Sequence, residues 1–388
     1  MFESEMRVRR REPKSDPRVE DQWSPFTFKK ESLILISRRR WLLIIAVFVS
    51  VFVVVTHLNN RLPRAVLAME AGDTQFSEER ARLFLTKLTA LGPRTTGAMT
   101  SQHNVLEVFE QHPTGCFPLK FFDQFVNCYQ NVTNIIVRIG RSSVPAPSLL
   151  LNCHYDSFIS SPGASDDGVN CAIMLDLLYI FSKVTAPLKN DIIFLFNGAE
   201  ENVLEGSHGF ITLHDLRHSV KAFINLEGAG ASGREVLFQS GPQNYWLLQT
   251  YVKNVPYPHC STLAQEIFQS GKFPGETDFR IFWHYGNLSG LDIAYFRNGY
   301  VYHNEFDRPE FIASGAIQRT GDNLLTLVRA TLLSSCLETD CPQQTQAFVF
   351  FDLFGLFTVS YLRSTSVVFN LSLVLVVLLK LVSSFTPG

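Results

Sequence analysis

Charged residues are scarce in this chain of 388 residues. They make up 18% of it, whereas apolar residues make up 46%. This balance excludes a disordered chain and a basic nucleic-acid-binding protein, because both need a high density of charge. The seven cysteines include no Cys-x-x-Cys pair, which excludes a disulfide-stapled miniprotein and a zinc ribbon. At roughly 150 residues per domain, the length allows two or three domains.

Acidic and basic residues are absent from residues 41–58, a run of 18 mostly apolar positions. At 1.5 Å per residue, a helix of this length just crosses about 30 Å of hydrocarbon. Residues 1–40 hold 11 Lys and Arg against 7 Asp and Glu, and Arg38, Arg39 and Arg40 directly precede the run. The sequence therefore predicts a cytosolic tail over 1–40 and a transmembrane anchor over 41–58. A cleaved signal peptide is the alternative, although no small-residue cleavage site follows the run.

Two further apolar runs, 347–362 and 366–382, are separated by only three residues. They predict two transmembrane helices joined by a tight cytosolic turn that carries Arg363, although Asp352 falls inside the first run. We expect them to begin a longer region of several spans. A glycolipid-anchor signal is the alternative, and it needs only one apolar tail.

Residues 62–340, between the apolar runs, combine the patterns of strands and helices. Ser77, followed by acidic residues, predicts the start of a helix. Short apolar runs rich in β-branched residues predict strands at 134–139, 148–153, 191–196, 220–226 and 291–296. Helical patterns lie between several of them, for example over 168–184 and 241–255. This alternation predicts an α/β domain, a largely parallel mixed sheet flanked by helices on both faces, on the far side of the membrane from the tail.

Polar side chains follow these strands where the strands end: His154 and Asp156, Glu200 and Glu201, Glu227, and His303. In open α/β sheets the ligand crevice lies beyond the carboxyl ends of the strands. Each residue alone is more typical of a hydrogen-bonded or solvated side chain, and Asp166-Asp167-Gly168 alone would pass as a helix N-cap. Together, so many like charges repel unless a cation offsets them. Two zinc ions would balance three carboxylates and a bridging hydroxide, with two neutral imidazoles completing the sites.

Five blocks of sequence resemble those of a known family: His154-Tyr-Asp156, Ser165-Asp166-Asp167-Gly168, Asn197-Gly-Ala-Glu200-Glu201, Asn225-Leu-Glu227 and Tyr302-His303. Over residues 77–335 the chain resembles the co-catalytic dizinc exopeptidases, which include secreted aminopeptidases, glutamate carboxypeptidase and glutaminyl cyclase. The resemblance implies a zinc-exopeptidase (phosphorylase/hydrolase-like) fold and a peptide or protein substrate. The membrane layout is similar to that of members in the endoplasmic reticulum, which implies a multi-pass protein of that membrane with a luminal peptidase domain.

The resemblance also implies a role for each residue of the site. The expected zinc ligands are Asp166 bridging two zinc ions, His154 and Glu227 completing one site, and Glu201 and His303 completing the other. Glu200 would be the general base for a zinc-bridging hydroxide. Asp156 would accept the free N–H of His154, and Tyr302 would donate to the developing oxyanion, although a core tyrosine is the alternative for Tyr302.

The expected activity is therefore hydrolysis at a peptide terminus by a membrane-anchored zinc exopeptidase, an aminopeptidase. One residue departs from the family pattern, because the soluble aminopeptidases usually place Asp where this chain has Glu227. A glutaminyl-cyclase-like transferase with a single zinc and a catalytically inactive scaffold are alternatives. A carboxypeptidase is another, and it would need Arg280 or Arg297 to bind a terminal carboxylate, although both are more typical of surface charges.

A disulfide is expected between Cys153 and Cys171. Cys153 precedes His154 and Cys171 follows the Asp166 loop, so the chain must return close to its start for both ligands to reach one metal pair. Closing this loop would contribute about 3 kcal/mol in the simple entropic model. Two buried free thiols are the alternative. Further possible pairs are Cys116 with Cys128 and Cys336 with Cys341, with Cys260 left over.

Three Asn-x-Ser/Thr sequons occur, at Asn131, Asn287 and Asn370. A luminal domain predicts that Asn131 and Asn287 can be glycosylated. Asn370 should stay unmodified because it lies inside a predicted span.

Overall fold

The computed structural model describes residues 37–90, 105–119, 125–241, 245–270, 273, 275–339, 341 and 347–385. The chain divides into two compact units, Met1–Val54 and Val55–Gly388. Of the first unit, only residues 37–54 are described, so most of the predicted cytosolic tail lies outside the described residues.

Helices and strands alternate through the middle of the chain. The helices are α1 Arg38–Asn59, α2 Ala68–Ala71, α3 Glu78–Ala90, α4 Val169–Ser182, α5 Glu205–Leu213, α6 Tyr245–Asn254, α7 Thr262–Gln269, α8 Asp278–His284, α9 Ala316–Leu332, α10 Ser335–Glu338 and α11 Arg363–Phe385. The strands are β1 Val105–Gln111, β2 Gly115–Pro118, β3 Val126–Tyr129, β4 Asn134–Gly140, β5 Ser148–His154, β6 Asp191–Asn197, β7 Val220–Gly228, β8 Val236–Gly241, β9 Gly290–Tyr295, β10 Phe348–Leu353 and β11 Phe357–Leu362. All five predicted strands are present, with ends one or two residues from the predicted positions.

Seven strands form one sheet in the order β1-β4-β6-β5-β7-β9-β8. The four central strands, β6, β5, β7 and β9, are parallel, whereas β1, β4 and β8 pair antiparallel with their neighbours. The prediction of a largely parallel mixed sheet is confirmed. Because the central strands share one direction, their carboxyl ends meet at one edge of the sheet.

The two faces of the sheet are covered by different helices. Side chains alternate between faces along a strand, so Leu149 and Leu151 of β5 belong to one buried cluster and Leu150 belongs to the other. The larger cluster includes side chains of α3, α4, α6 and α9, and the smaller one includes those of α5 and α8. Burial on both faces explains why the central strands are apolar almost throughout.

Helices α1 and α11 are each long and apolar enough to cross a membrane, and their apolar windows are not buried within the structure. They contain the predicted spans 41–58 and 366–382. An exposed apolar helix of this length is unfavourable in water and favourable in hydrocarbon, so both helices fit membrane anchoring.

The predicted transmembrane helix over 347–362 is wrong, because these residues form the antiparallel hairpin β10–β11. Phe354 and Gly355, both with positive φ, make the turn. Asp352 accepts hydrogen bonds from the Thr358 hydroxyl at 2.7 Å and from the backbone N–H of Cys260 at 3.4 Å. Both hydrogen bonds go to Oδ1, so the carboxyl group has polar partners in this hairpin, whereas it would be costly in hydrocarbon. The predicted cytosolic turn at Arg363 is also wrong, since β11 runs directly into α11.

The cysteine pairing differs from the prediction as well. Disulfides join Cys116 to Cys128 and Cys336 to Cys341, the two pairs that the sequence constrained least. The Sγ atoms of Cys153 and Cys171 lie 2.7 Å apart, so the expected proximity is present, but both residues are buried free thiols. The Cys171 thiol instead donates to the backbone oxygen of His154 at 3.1 Å. The alternative of two thiols therefore describes this structure.

Candidate metal centre

Two groups of metal-binding side chains lie side by side at the carboxyl edge of the sheet. His154, Asp166 and Glu227 form one group, and Asp166, Glu201 and His303 form the other. Within each group the potential ligand atoms all lie within 4.8 Å of one another. Asp166 belongs to both groups, so its carboxylate stands between them.

The Asp166 carboxylate contacts one histidine with each oxygen. Its Oδ1 lies 3.1 Å from His154 Nε2, and its Oδ2 lies 3.0 Å from His303 Nε2. Glu227 Oε2 is 3.8 Å from His154 Nε2, and Glu201 Oε2 is 3.0 Å from His303 Nε2. These spacings bring together all five ligands that the sequence resemblance implied.

Each ligand comes from a different segment that ends at the same edge. His154 is the last residue of β5, Glu227 is the second-last residue of β7, and Glu201 follows β6. Asp166 lies in the turn Ala164–Gly168, where its own backbone is not helical, just before α4, and His303 lies beyond β9. The turn packs so closely on β7 that a side chain at Gly228 would collide with the carbonyl oxygen of Ser165. Glycine therefore permits the approach of Asp166 to Glu227.

The electrostatics of the site fit a cation. Burial raises the pKa of Glu227 and of Glu201, and the neighbouring charge of Asp166 raises both further. Burial also pushes the pKa of Asp166 upward, but hydrogen bonds with the two histidines lower it below its ordinary value. Glu201 Oε1 is buried and has no hydrogen-bond partner among the described residues. An orphaned carboxylate oxygen beside two imidazoles fits a divalent metal, and this donor set suits zinc.

Asp156 connects the His154 segment to the loop that carries Glu200 and Glu201. Its two carboxylate oxygens accept hydrogen bonds from the backbone N–H groups of Glu200, at 3.2 Å, and Glu201, at 3.1 Å. His154 Nδ1 lies 3.2 Å from the backbone oxygen of Asp156 and 3.5 Å from its Oδ1. Asp156 therefore contacts His154 as expected, and it also fixes the two glutamates, which the sequence did not indicate.

The loop carrying Glu200 has a strained backbone. Ala199, Val203 and Leu204 have φ values of 57°, 78° and 65°, in the left-handed region that non-glycine residues rarely adopt. Hydrogen bonds from Asn127 Nδ2 to the carbonyl oxygens of residues 202 and 203, at 3.1 and 3.3 Å, help to hold this conformation. Burial, and then the charge of Glu227, raises the pKa of Glu200. Glu200 thus points its carboxyl group into the same acidic environment as the ligands.

Aromatic rings surround His303. Its ring stacks on Tyr302 at 3.7 Å between centroids and on Phe158 at 4.5 Å. Both neighbours are 38% exposed. Burial, and then the Asp166 charge, raises the pKa of Tyr302, so its hydroxyl remains a proton donor near neutral pH. Tyr302 is therefore a partly exposed residue beside the ligands and not a core tyrosine.

Asp307 is a buried residue of the site that sequence reasoning missed. Its carboxylate accepts hydrogen bonds from the Ser165 N–H at 2.8 Å, the Ser165 hydroxyl at 2.6 Å and the Asp166 N–H at 3.1 Å. It lies four residues after His303, so it ties the Asp166 turn to the His303 segment. No pattern in the sequence connects positions 165 and 307.

We expect Asp307→Asn to lower the free energy of unfolding by about 1–3 kcal/mol. The reason is that the amide NH₂ group of asparagine would replace one of the two carboxylate oxygens and would face a backbone N–H of Ser165 or Asp166, which would lose its acceptor. Zinc affinity should fall in the same variant, since Asp166 would lose its anchor. Thermal unfolding and zinc titration of the detergent-solubilised chain measure the two effects. Glu310→Gln, an exposed change on the same segment, is the control. Unchanged zinc affinity in Asp307→Asn would contradict the anchoring role.

A second group of missed residues lies directly beneath the ligands. The side-chain amides of Asn152 in β5 and Asn197 in β6 both donate to Asp278 Oδ2, at 2.8 and 2.6 Å. Asn225 in β7 donates to Asp292 at 2.9 Å. All five residues are fully buried. Asparagine within otherwise apolar central strands is a signal that the sequence contained, since a buried amide needs a partner.

The two arginines considered for a carboxypeptidase differ in exposure. Arg280, in α8, is not a surface charge, because it is 3% exposed and its Nε lies 3.9 Å from Oε2 of Glu276, which precedes the helix. Arg297 is exposed.

A sheet whose carboxyl edge gathers histidines and carboxylates into two adjoining groups of potential metal ligands is typical of metal-dependent hydrolases. The sequence profile described as Peptidase family M28 matches residues 134–328, about half of the chain. The chain belongs to this family of zinc metallopeptidases.

Several proteins are similar over most of this chain. A Caenorhabditis elegans relative named for endoplasmic reticulum metallopeptidase 1 is 48% identical over 83% of this chain and 38% of its own length. Endoplasmic reticulum metallopeptidase 1 of Homo sapiens is 40% identical over 85% of this chain and 39% of its own. Residues 161–167, 194–204 and 265–271 also resemble endoplasmic reticulum metallopeptidase 1 in sequence, and the similarity to these relatives confirms that resemblance. The chain thus spans less than two fifths of the length of either relative.

Among solved structures, a zinc aminopeptidase from Bacillus subtilis is 19% identical, with a TM-score of 0.42. The similarity covers 55% of this chain and 54% of that one.

Proposed function

We propose that the chain is a membrane-anchored exopeptidase that removes residues from the amino terminus of peptides. The observation that carries this proposal is the pair of ligand groups that share Asp166. A single carboxylate between two cation sites is the arrangement that a co-catalytic metal pair needs.

Two zinc ions would occupy these groups. His154 and Glu227 would hold one ion, Glu201 and His303 would hold the other, and Asp166 would contact both. When bound, the ions supply Lewis acidity, which polarises a scissile carbonyl and lowers the pKa of a water molecule.

Glu200 would act as the general base. It is adjacent to the ligand Glu201 but belongs to neither ligand group, so its carboxylate is free to accept a proton from the attacking water and to return it to the leaving amine. Asp156 would position this base, because it fixes the backbone of both glutamates. It would also hold the His154 ring in orientation.

Tyr302 would stabilise the oxyanion that forms on the scissile carbonyl. Its side chain is partly exposed beside His303, and its raised pKa keeps the hydroxyl protonated. A neutral donor aimed at developing negative charge strengthens its hydrogen bond in the transition state.

The negative charge around the site favours binding of a substrate's amino terminus. Burial raises the pKa of Glu200, and the charge of Glu227 raises it further, so these two carboxyl groups lie close together. Arg280, in contrast, is buried beside Glu276. A carboxypeptidase would need a cation that can reach a terminal carboxylate, and Arg297 is the exposed candidate for that alternative.

A peptide-library digest by the detergent-solubilised chain tests the proposal. We expect stepwise loss of amino-terminal residues, abolition by a chelator and recovery on adding zinc. Loss of carboxyl-terminal residues would assign a carboxypeptidase instead. Cyclised amino-terminal glutamine without hydrolysis would assign a glutaminyl-cyclase-like transferase.

We further propose that the peptidase domain faces the lumen of the endoplasmic reticulum. Arg38, Arg39 and Arg40 begin α1, and a cluster of positive charge favours the cytosolic side of a membrane. The segment that follows α1 would then lie on the luminal side. The two disulfides fit this oxidising compartment.

Glycosylation tests this orientation. Asn131 and Asn287 are exposed, whereas Asn370 lies within α11. We expect Asn131→Gln and Asn287→Gln each to remove one glycan from the protein expressed in a secretory pathway, seen as a mobility shift that a glycosidase abolishes. Asn370→Gln should change nothing. A glycan at Asn370 would contradict the membrane span over α11. The absence of a glycan at both Asn131 and Asn287 would argue against a luminal peptidase domain.

A further inference from the structure

The hairpin β10–β11 has one face made only of apolar side chains. Its cross-strand pairs on this face are Val349 with Tyr361, Phe351 with Val359, and Leu353 with Phe357. Cross-strand partners point to the same side of a sheet, so these six residues form one continuous surface. We call it the outer face.

The opposite face of the hairpin packs on the domain. Phe348 and Phe350 are buried, and the ring of Phe348 lies 5.6 Å from that of Tyr245 in α6. Ser360 accepts a hydrogen bond from Gln249 of α6 at 2.8 Å. The hairpin therefore has a fixed orientation on the domain, with the outer face turned away from α6.

The end of the hairpin exposes further apolar surface. Phe354 and Phe357 are 62% and 66% exposed, and Leu353 and Leu356 are 45% and 39% exposed. Four large apolar side chains so close together form a patch of a kind that marks an interaction surface.

One end of the hairpin continues into an apolar helix, and the other end is linked through Arg234 to Asn59. At one end β11 continues into α11 without a linker, and the ring of Tyr361 lies 6.4 Å from that of Phe369 in α11. At the other end Arg234 Nη1 donates both to the backbone oxygen of Gly355, in the turn, and to Oδ1 of Asn59, each at 2.5 Å. Asn59 is the residue at which α1 ends.

We propose that the outer face and turn of this hairpin lie in the lipid interface of the membrane that α11 enters. A six-residue strand spans roughly 17–20 Å. The hairpin covers this distance between its turn, which is linked through Arg234 to Asn59, and the start of α11 at Arg363. Arg363, exposed at the start of α11, is of the residue type that meets lipid phosphates, and Tyr361 is of the type enriched at this depth. The hairpin would hold the peptidase domain against the bilayer. This inference rests on the proposed membrane anchoring.

Lipid-attached quenchers distinguish the possible occupants of this face. The full chain, reconstituted in phosphatidylcholine vesicles that contain doxyl-labelled lipid, would carry an environment-sensitive fluorophore on a single introduced cysteine. Cys153, Cys171 and Cys260 are buried, and the other four cysteines are paired, so labelling is selective. Phe357→Cys is the test position. Leu333→Cys, 71% exposed at the end of α9, is the matched control, and Leu375→Cys reports the interior of α11.

We expect shallow doxyl groups to quench the label at 357 about threefold more strongly than the label at 333. Equal quenching at 357 and 333 would overturn the proposal and leave the face in water. A blue-shifted label at 357 that lipid does not quench would overturn it in favour of a protein partner. An unquenched label at 375 would show that the anchoring itself fails, independently of the hairpin.

Discussion

Glu200→Gln is expected to lower kcat by about 10²–10⁴-fold while the bound zinc stays unchanged. The amide keeps the size and most contacts of the side chain but cannot accept a proton from water. Zinc content should persist because Glu200 belongs to neither ligand group. Peptide turnover and elemental analysis of the same purified sample give the two measurements.

Glu305→Gln is the matched control for this variant. Glu305 is exposed, lies two residues after His303 and belongs to neither ligand group. Its substitution should leave both turnover and zinc content unchanged. If zinc were lost along with activity in Glu200→Gln, Glu200 would be a ligand, and the general base would have to be another residue.

Asp166→Asn is expected to remove both zinc ions, whereas Glu227→Gln should remove only one. Asp166 is shared by the two ligand groups, and Glu227 belongs to one. An asparagine side chain offers one oxygen and no charge, so it cannot balance two cations. Activity should be lost in both variants, and the metal content separates them.

Elemental analysis of these two variants also separates the candidate activities. If the unmodified chain binds a single zinc that Glu227→Gln retains, the centre resembles that of a glutaminyl-cyclase-like transferase, and the two-metal proposal is wrong. Recovery of zinc by Asp166→Asn at high zinc concentration would show that the other ligands form a site without the shared carboxylate.

The positions of the ligands could be predicted because sheet geometry is local and periodic. Apolar runs such as 148–153 and 191–196 mark strands buried on both faces, and parallel strands bring their carboxyl ends to one edge. His154 and Glu201 each follow such a run. The resemblance then supplied the pairing of ligands, which no strand pattern contains.

The hairpin at 347–362 could not be predicted from apolarity alone. An apolar run of 16 residues suits both a short span and a hairpin with one face on a core and the other on lipid. Asp352 was the residue that argued against a span, because its carboxyl group needs polar partners, and the backbone N–H of Cys260 and the facing Thr358 hydroxyl provide them. The hydrogen bonds that Asp307 accepts from Ser165 likewise depend on tertiary contacts.

The hydrogen bonds of Asp156 and Asp307 bear on how the site can move. One carboxylate ties the His154 segment to the loop of residues 200 and 201, and the other ties the Asp166 turn to the segment after His303. The ligand-bearing loops are thus linked in pairs, so an excursion of one loop must carry another with it. Local opening of the centre then becomes a cooperative event of high free energy rather than independent fluctuation of four loops. Under the proposed function, we therefore expect substrate entry and product release to involve exposed side chains beside the centre, such as Ile159, rather than opening of these linked loops.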